Sequence, residues 1–287
     1  MAYNNLMKQR RLALALGGGG VRGLAHIGIV KVLVNAGICI DYLAGTSFGG
    51  IVAIALASGK SIEEMESEAV RFSHIREMMK LVDLTGHQRG LLHGEKVRKF
   101  LSSWLGEDLT FEELKIPVVL NAVDLVTGKE IILYSGPVMP ALFGTICVPG
   151  VFSPVFLDGH WLVDGGVLNN VPVAPARLFN PEVVIGVDVQ LNPTLAPHWK
   201  SSESKPHLPL SVPTPEFFLD FYRSMMIMIS AQTQHQLEIS PPDLLIMPPI
   251  DNDITMFTGF SKIYETIAAG EQAALALLPK IQELVNK

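Results

Sequence analysis

The sequence predicts an α/β fold in which helices cover a mostly parallel central sheet. Apolar stretches of strand length alternate along the chain with longer segments of helical periodicity, and two of the strand-to-helix junctions are rich in glycine. Such alternation is typical of βαβ units. A length of 287 residues with 48% hydrophobic residues fits one domain with a large core. We therefore expect a single domain over residues 1–287.

The apolar segments can be assigned one by one. The predicted strands are 12–16, 38–44, 116–124, 130–134 and 183–189, with a hairpin over 155–163 that turns at Asp158-Gly159. The predicted helices are 22–36, ended by Gly37, 48–58, closed by Gly59, one that starts at the capping box "SIEE" (61–64), 94–105 and 216–238. Pro, Ser and Lys are frequent over 191–215, which predicts a mobile loop, with C-terminal helices over 216–287 packed on the domain.

Charge and cysteine content exclude several classes of protein. The net charge of −6 leaves no basic surface for a nucleic acid, so we expect no nucleic-acid partner. Cys39 and Cys147 stand among apolar neighbours without a CxxC or Cys/His pairing. This predicts buried thiols in a reducing compartment and no metal site.

The hydropathy pattern predicts a cytoplasmic protein. The apolar run 12–16 is shorter than the roughly 7–15 residues of a signal-peptide core, and it fits a first strand better. No apolar run reaches the ~18 residues of a spanning helix. A positive mean hydropathy is compatible with peripheral contact at the inner face of the membrane.

The stretch "LALALGGGGVRGLAHIGI" places four glycines between the first strand and a helix. Residues 18–23 satisfy G-x-G-x-x-G, and Asp41 follows at about the distance of a ribose-binding carboxylate, ~20 residues on, which keeps a nucleotide-binding enzyme open. A P-loop is excluded because Leu24 stands in place of Lys. A tight turn needs one or two glycines, and each costs ~0.5–1 kcal/mol against Ala. The bare N–H groups therefore predict an anion site, for a phosphate or for an oxyanion.

A second motif decides between these two anions. The second strand runs into "AGTSFGG", where Gly45, Ser47 and Gly49 form the G-x-S-x-G of a nucleophile elbow. Adjacent parallel strands would bring Gly19 and Gly20 beside Ser47. Backbone donors aimed at the oxyanion of acyl transfer contribute on the order of 3 kcal/mol each. The sequence therefore favours an oxyanion hole.

A serine nucleophile needs a base, and none of the eight histidines is framed by a motif. By contrast, Asp164 ends the apolar run 161–163 and is followed by Gly165 and Gly166. Burial would raise the pKa of its carboxyl group towards that of a useful general base.

These motifs resemble the patatin-like phospholipase family of bacterial lipid acyl hydrolases. The resemblance covers most of the chain, including "AHIGIVKVL" and "CVPGVFSPVFLDGHWLVDGGVLNNVPV". Its three ordered blocks are G-G-G-x-R-G at Gly18, Gly19, Gly20, Val21, Arg22 and Gly23, G-x-S-x-G at 45–49, and D-G-G at 164–166. One departure is Gly17, where relatives often carry Asp or Ser.

The resemblance implies a three-layer α/β/α fold and a serine lipid acyl hydrolase of the phospholipase A or lysophospholipase kind. It implies a dyad in which Ser47 attacks and Asp164 accepts the proton, with no histidine, metal or cofactor. The N–H groups of Gly19, Gly20 and Val21 would form the oxyanion hole. Arg22 would shape the loop or meet a lipid phosphate.

Other functions stay open at this point. A Ser-His-Asp carboxylesterase would take its base from His198, His207 or His235, although its elbow would follow more than one strand. A scaffold that has lost turnover would keep the fold, but intact motifs speak against it. Met225, Met226 and Met228 cluster on the helix 216–238, which could be core, lid or interface. Homo-oligomerisation stays open too.

Overall fold

The computed structural model describes residues 9–79, 94–191, 216–256 and 259–286, without the side chains of 72–79 and 216–219. Of the predicted mobile loop 191–215, residue 191 alone lies within these ranges. Within them, the chain forms an α/β fold around one mixed sheet.

The sheet has a parallel centre and an antiparallel edge. Its strand order in the described residues is β5-β6-β3-β2-β1-β7-β8, and β4 also pairs with β3. The pairs of β1 with β2 and β7, of β2 with β3 and of β7 with β8 are parallel, whereas β4, β5 and β6 pair antiparallel. The strands are β1 (Leu12–Leu16), β2 (Tyr42–Gly45), β3 (Val118–Asp124), β4 (Lys129–Leu133), β5 (Val155–Leu157), β6 (His160–Asp164), β7 (Val183–Val187) and β8 (Leu244–Ile246).

Helices cover both faces of this sheet and make the predicted three layers. They are α1 (Ala25–Asn35), α2 (Phe48–Ala57), α3 (Ile62–Met79), α4 (Glu95–Leu105), α5 (Val138–Ile146), α6 (Val173–Ala176), α7 (Glu216–Ile239) and α8 (Ile263–Val285). Leu14 on β1 packs in the larger core with α1, α2, α5 and α8. Its neighbours Ala13 and Ala15 face the smaller core with α6. The alternation follows from the period of two along a strand, and the small alanines let α6 approach closely.

Most predicted elements are present, with shifted ends. The helix predicted over 22–36 begins as a 3-10 turn, Gly20–Leu24, before α1. The hairpin turn has the positive φ angles expected at Asp158 (48°) and Gly159 (86°). The capping box is formed, because the Ser61 and Glu64 side chains each accept the other residue's N–H. Helices α5 and α6 and strand β8 were not predicted from the sequence.

The prediction that both cysteines are buried is wrong for Cys39. Cys147 is buried, but Cys39 is exposed. The reason is that β2 begins only at Tyr42, four residues later than predicted, so that Cys39 lies in the surface connection after α1.

Helices α1 and α8 approach each other through two glycines. A Cβ on Gly28 would lie 2.0 Å from the carbonyl oxygen of Ile267, and one on Gly270 would lie 1.9 Å from that of Ala25. Contacts this short leave no room for a methyl group. The two glycines therefore set the distance between the helices.

None of the helices in the described ranges is both long and apolar enough to cross a bilayer.

We expect Gly28→Ala or Gly270→Ala to lower the free energy of unfolding by about 2–4 kcal/mol, because the helices must separate and leave voids. Alanine has the higher helix propensity by about 1 kcal/mol, so a loss would oppose the local preference. The exposed Leu275→Ala on α8 is the control and should change stability by less than about 0.5 kcal/mol. Urea unfolding measures all three, and unchanged or increased stability of both glycine variants would contradict the packing argument.

Candidate active site

Ser47 lies on a strained turn between β2 and α2. Its φ of 53° and ψ of −125° are rare for a residue with a side chain, and such conformations cost about 1–3 kcal/mol. The turn is tight because a Cβ on Gly49 would lie 2.2 Å from the carbonyl oxygen of Leu16, at the end of β1. The Ser47 N–H donates to Thr145 Oγ1 of α5 at 2.9 Å, which helps to fix the turn. This is the geometry of a nucleophile elbow.

The glycine loop lies directly beside this turn. A Cβ on Gly18 would lie 3.0 Å from the Cβ of Ser47. The Gly18 N–H donates to the carbonyl oxygen of Asn170 at 3.1 Å, and the Val21 N–H donates to that of Met256 at 3.2 Å. In the described part of the chain, the N–H groups of Gly19 and Gly20 donate to no acceptor. Of the predicted oxyanion donors, Gly19 and Gly20 are thus the ones still available, and Val21 is already engaged.

Asp164 ends β6, on the antiparallel side of the sheet, and it is 5% exposed. Its Oδ1 accepts the Gly166 N–H at 2.8 Å, whereas its Oδ2 accepts no hydrogen bond from the described residues. Burial raises the pKa of Asp164 to about 6, against the opposing effects of the nearby Ser47 hydroxyl and the Gly166 amide. The fold therefore brings together the predicted nucleophile and base, which are far apart in the chain.

A buried polar network that the sequence analysis missed holds the elbow to β3. Thr46 Oγ1 donates to Asn121 Oδ1 at 2.7 Å, and Asn121 Nδ2 donates to the carbonyl oxygen of Asn169 and to Glu130 Oε1, both at 2.8 Å. Asn169 Nδ2 reaches the same Glu130 oxygen at 3.0 Å. These bonds tie the residue before Ser47 to the segment after Asp164.

Asn170 connects the other side of the site. Its Nδ2 donates to the Gly18 carbonyl oxygen at 3.1 Å, and its own carbonyl oxygen accepts the Gly18 N–H. Its Oδ1 would lie 2.7 Å from a Cβ on either Gly18 or Gly166. Asn170 therefore fills the space that the two glycines leave free. Two adjacent asparagines in the apolar stretch "VLNNVPV" were the sequence signal for this role.

Arg22 is buried and bonds to backbone carbonyls. Its Nε donates to Val189 O at 2.7 Å, and its Nη1 donates to Asp251 O at 3.0 Å and to Ile254 O at 2.8 Å. Desolvation lowers the pKa of Arg22 to about 10, with Asp188 and Asp251 opposing the shift. Of the two roles expected for Arg22, these bonds favour shaping the loop over meeting a lipid phosphate.

Histidine does not complete a triad among the described side chains. Burial lowers the pKa of His26 to about 4, and its Nε2 lies 2.7 Å from the carbonyl oxygen of Gly17. His160 pairs with Asp124 at 3.2 Å, and His235 is exposed on α7. The side chains of His74, His87, His93, His198 and His207 lie outside the described residues.

Asp41 lies at the wrong end of its strand for a dinucleotide site. Asp41 would hold a ribose only at the carboxyl end of β2, but its Oδ2 accepts the Leu12 N–H at 2.8 Å, at the start of β1. This places Asp41 at the opposite end of the sheet from the glycine loop and disfavours a dinucleotide site.

The described residues contain no group of three or more His, Cys, Asp or Glu that could hold a metal ion.

The methionines of α7 do not act as one surface. Met225 is buried with Ile229 against Val148 and Val151, Met226 is partly buried, and Met228 is 62% exposed beside other exposed apolar side chains on the helix. The helix 216–238 was expected to be core, lid or interface. One of its faces therefore packs in the core.

The fold and the site define an α/β protein with a serine elbow facing a glycine loop and a buried aspartate. A family model, patatin-like phospholipase, matches residues 14–177. The chain belongs to the patatin-like phospholipase family.

The chain is also similar in sequence to curated relatives and in fold to a solved structure. The chain is 36% identical over 179 residues to an uncharacterised NTE family protein of Mycobacterium tuberculosis, covering 62% of this chain and 49% of the relative. It is 30% identical over 182 residues to the mouse patatin-like phospholipase domain-containing protein 7, covering 62% of this chain and 13% of the relative. The chain thus spans half or less of the length of these relatives. The crystal structure of VipD from Legionella pneumophila is similar in fold, with a TM-score of 0.57 and 13% identity over 95% of this chain and 67% of that one.

We expect Asp164→Asn to stabilise the protein at high pH. The folded-state pKa rises from an ordinary value of 3.8 to about 6. The folded state therefore binds the proton more tightly, and the wild type loses stability as the pH rises through about 6. A difference of about 2 between the folded-state and the ordinary pKa corresponds to at most about 3 kcal/mol of stability. The gain in unfolding free energy of the variant over the wild type should thus be larger at pH 8 than at pH 4, by about 1–3 kcal/mol.

Urea unfolding at both pH values measures this double difference, in which other titrating groups cancel. Glu182→Gln, at an exposed carboxyl group whose pKa is lowered by the Arg11 N–H, is the control and should not gain stability in this way. A double difference near zero for Asp164→Asn would mean that its carboxyl group is not destabilised by burial.

Proposed function

We propose that this chain is a serine lipid acyl hydrolase, of the phospholipase A or lysophospholipase kind, that works through a dyad of Ser47 and Asp164. The observation that carries the proposal is the meeting of three features at one place. The serine stands on a strained elbow, the carboxyl group beside it is buried with a raised pKa, and the glycine loop offers backbone donors next to it. Membership of the patatin-like phospholipase family supports the choice of a lipid ester as substrate.

In the proposed first step, Ser47 Oγ attacks the ester carbonyl carbon and Asp164 accepts the hydroxyl proton. The carbonyl oxygen becomes an oxyanion, which the N–H groups of Gly19 and Gly20 stabilise. The intermediate collapses when the C–O bond to the alcohol breaks, and the alcohol takes the proton from Asp164. The acyl group is then bound to Ser47.

In the second step, Asp164 takes a proton from a water molecule that attacks the acyl-enzyme. Collapse of the second oxyanion returns the proton to Ser47 Oγ and releases the fatty acid. The raised pKa of Asp164 suits this double use, since a carboxylate with an ordinary pKa would be a weaker base. Gly45, Gly49 and Gly165 would support the geometry by allowing close backbone approach, and Gly23 and Gly166 would do so by giving room to the side chains of Phe48 and Asn170.

Contact with a membrane surface belongs to the same proposal, because a lipid substrate resides there. Exposed apolar side chains on α7, among them Phe221 and Met228, would suit such peripheral contact from the cytoplasmic side. A homo-oligomer that covers the same side chains is the competing use of this surface.

The dyad predicts that Ser47→Ala and Asp164→Asn each reduce hydrolysis of p-nitrophenyl butyrate by at least about 10³-fold, while circular dichroism stays unchanged. A fluorophosphonate probe should label the wild type and not Ser47→Ala. His160→Gln and His235→Gln are the controls and should stay within about twofold of the wild type. A histidine variant that loses activity while Asp164→Asn keeps it would favour a conventional triad.

The pH profile tests the role of Asp164 as the base. Because only the ionised carboxylate can accept a proton, kcat/KM should rise about tenfold per pH unit below pH 6 and level off above it. The same ester, measured from pH 4.5 to 8.5, gives the profile. A midpoint near 7 that disappears in a histidine variant would assign the base to that histidine instead.

A further inference from the structure

The side chain of Asn170 holds the peptide group that carries the Gly19 N–H. Asn170 Nδ2 donates to the Gly18 carbonyl oxygen at 3.1 Å, and the Gly18–Gly19 peptide is trans. In a planar trans peptide the C=O and the N–H point in opposite directions. The bond from Asn170 therefore fixes the direction of the Gly19 N–H, which donates to no acceptor among the described residues.

The peptides on both sides of this one are held without the Asn170 side chain. The Gly18 N–H donates to the backbone carbonyl oxygen of Asn170 at 3.1 Å, and His26 Nε2 lies 2.7 Å from that of Gly17. Further along the loop, the Val21 N–H donates to a backbone carbonyl oxygen at 3.2 Å. A peptide between two glycines rotates easily, because no Cβ restricts the dihedral angles. The Gly18–Gly19 peptide therefore needs an anchor of its own.

Asn170 is suited to be that anchor. It is 5% exposed, and its Oδ1 packs against Gly18 and Gly166, where a Cβ would lie 2.7 Å away. Its amide donates a hydrogen bond without adding a charge, whereas an ionised carboxylate could only accept. A carboxylate would also place a second negative charge near Asp164, since the side chains at 164 and 170 both lie against Gly166.

We propose that Asn170 is a positioning residue of the oxyanion hole, which keeps the Gly19 N–H directed at the oxyanion formed by Ser47. The inference rests on the proposed function and adds a residue that acts through the loop, without touching the ester. Backbone donors stabilise an oxyanion strongly when they are oriented before the reaction. Because both steps of the proposed mechanism form an oxyanion, loss of this orientation should slow both.

Asn170→Ala removes the amide donor and keeps the backbone bond to Gly18. We expect kcat for p-nitrophenyl butyrate to fall by about 30–100-fold, somewhat less than the roughly 10²–10³-fold cost of deleting a donor. KM should stay within about threefold, because the lost interaction belongs to the transition state. Asn35→Ala, at an exposed position of α1, is the matched control and should stay within about twofold of the wild type.

Two ketones distinguish an oriented donor from a general effect on the site. 1,1,1-Trifluorodecan-2-one should add Ser47 Oγ to form a hemiketal oxyanion, whereas decan-2-one remains a ketone and reports ground-state binding. In Asn170→Ala, the inhibition constant of the trifluoroketone should rise by the same factor by which kcat/KM falls, and that of decan-2-one should change by less than about threefold. The midpoint of the pH profile of kcat/KM should stay near 6, because Asp164 keeps its environment.

Equal losses of affinity for both ketones, or a midpoint that moves by more than about 0.5 pH units, would assign Asn170 to substrate binding or to Asp164 and overturn its role in the oxyanion hole. Asn170→Ser repeats the test with a different short side chain, and circular dichroism checks the fold of both variants. If neither variant folds, Asn170 supports the whole fold and the proposal fails.

Failure of this proposal can be told apart from failure of the proposed function. Unchanged kcat in both Asn170 variants would overturn the positioning role and leave the hydrolase intact. Absence of ester hydrolysis and of fluorophosphonate labelling in the wild type would overturn the hydrolase, and with it the role of Asn170.

Discussion

Close approach of backbone segments at the carboxyl end of the parallel strands is the constraint on which the site depends. Gly49 lets the start of α2 reach the last carbonyl group of β1, Gly18 lets the loop reach Ser47, and Gly165 lies against the backbone of Asn121. A side chain at Gly49 or Gly165 would occupy space that another backbone already fills, and one at Gly18 would collide with the side chains of Asn170 and Ser47. The glycines therefore do more than form turns, because they allow three chain segments to converge within hydrogen-bonding distance of one another.

This convergence has an electrostatic consequence. Asp164 is taken out of water in the interior, where only one of its oxygens receives a hydrogen bond from the described residues. The asparagines behave differently, because the Asn121 amide donates to the carbonyl oxygen of Asn169 and both Asn121 and Asn169 donate to Glu130. The site thus combines a hydrogen-bonded network, which holds the geometry, with one carboxylate that has an oxygen without a hydrogen bond from the described residues. A group that is unfavourable for stability in this way is what a general base requires, since hydrogen bonds to both oxygens would lower its pKa again.

The sequence predicted the parts of this arrangement that rest on local chemistry. Ser47 between two glycines, Asp164 before two more and the Ser61 capping box each specify their own backbone, so they could be recognised without knowledge of the fold. Cys39, Arg22 and Val21 were harder because their environments are set by distant segments. The exposure of Cys39 depends on where β2 begins, and the bonds of Arg22 depend on residues more than 160 positions away. Helix α5 was missed since an apolar run of nine residues fits a strand or a helix equally well.

The distant contacts of the glycine loop show that the proposed site depends on residues beyond the stretch that matches the family. That match ends at residue 177, yet Arg22 bonds to the carbonyl groups of Val189, Asp251 and Ile254, and Val21 bonds to Met256. A Cβ on Gly20 would even collide with the backbone of Met256. The segment 251–256 therefore packs on the loop and bonds to Val21 and Arg22, whereas the N–H groups of Gly19 and Gly20 have no acceptor among the described residues. In the proposed mechanism the motifs supply the reacting groups, and the C-terminal part of the chain holds the loop that would stabilise the charge.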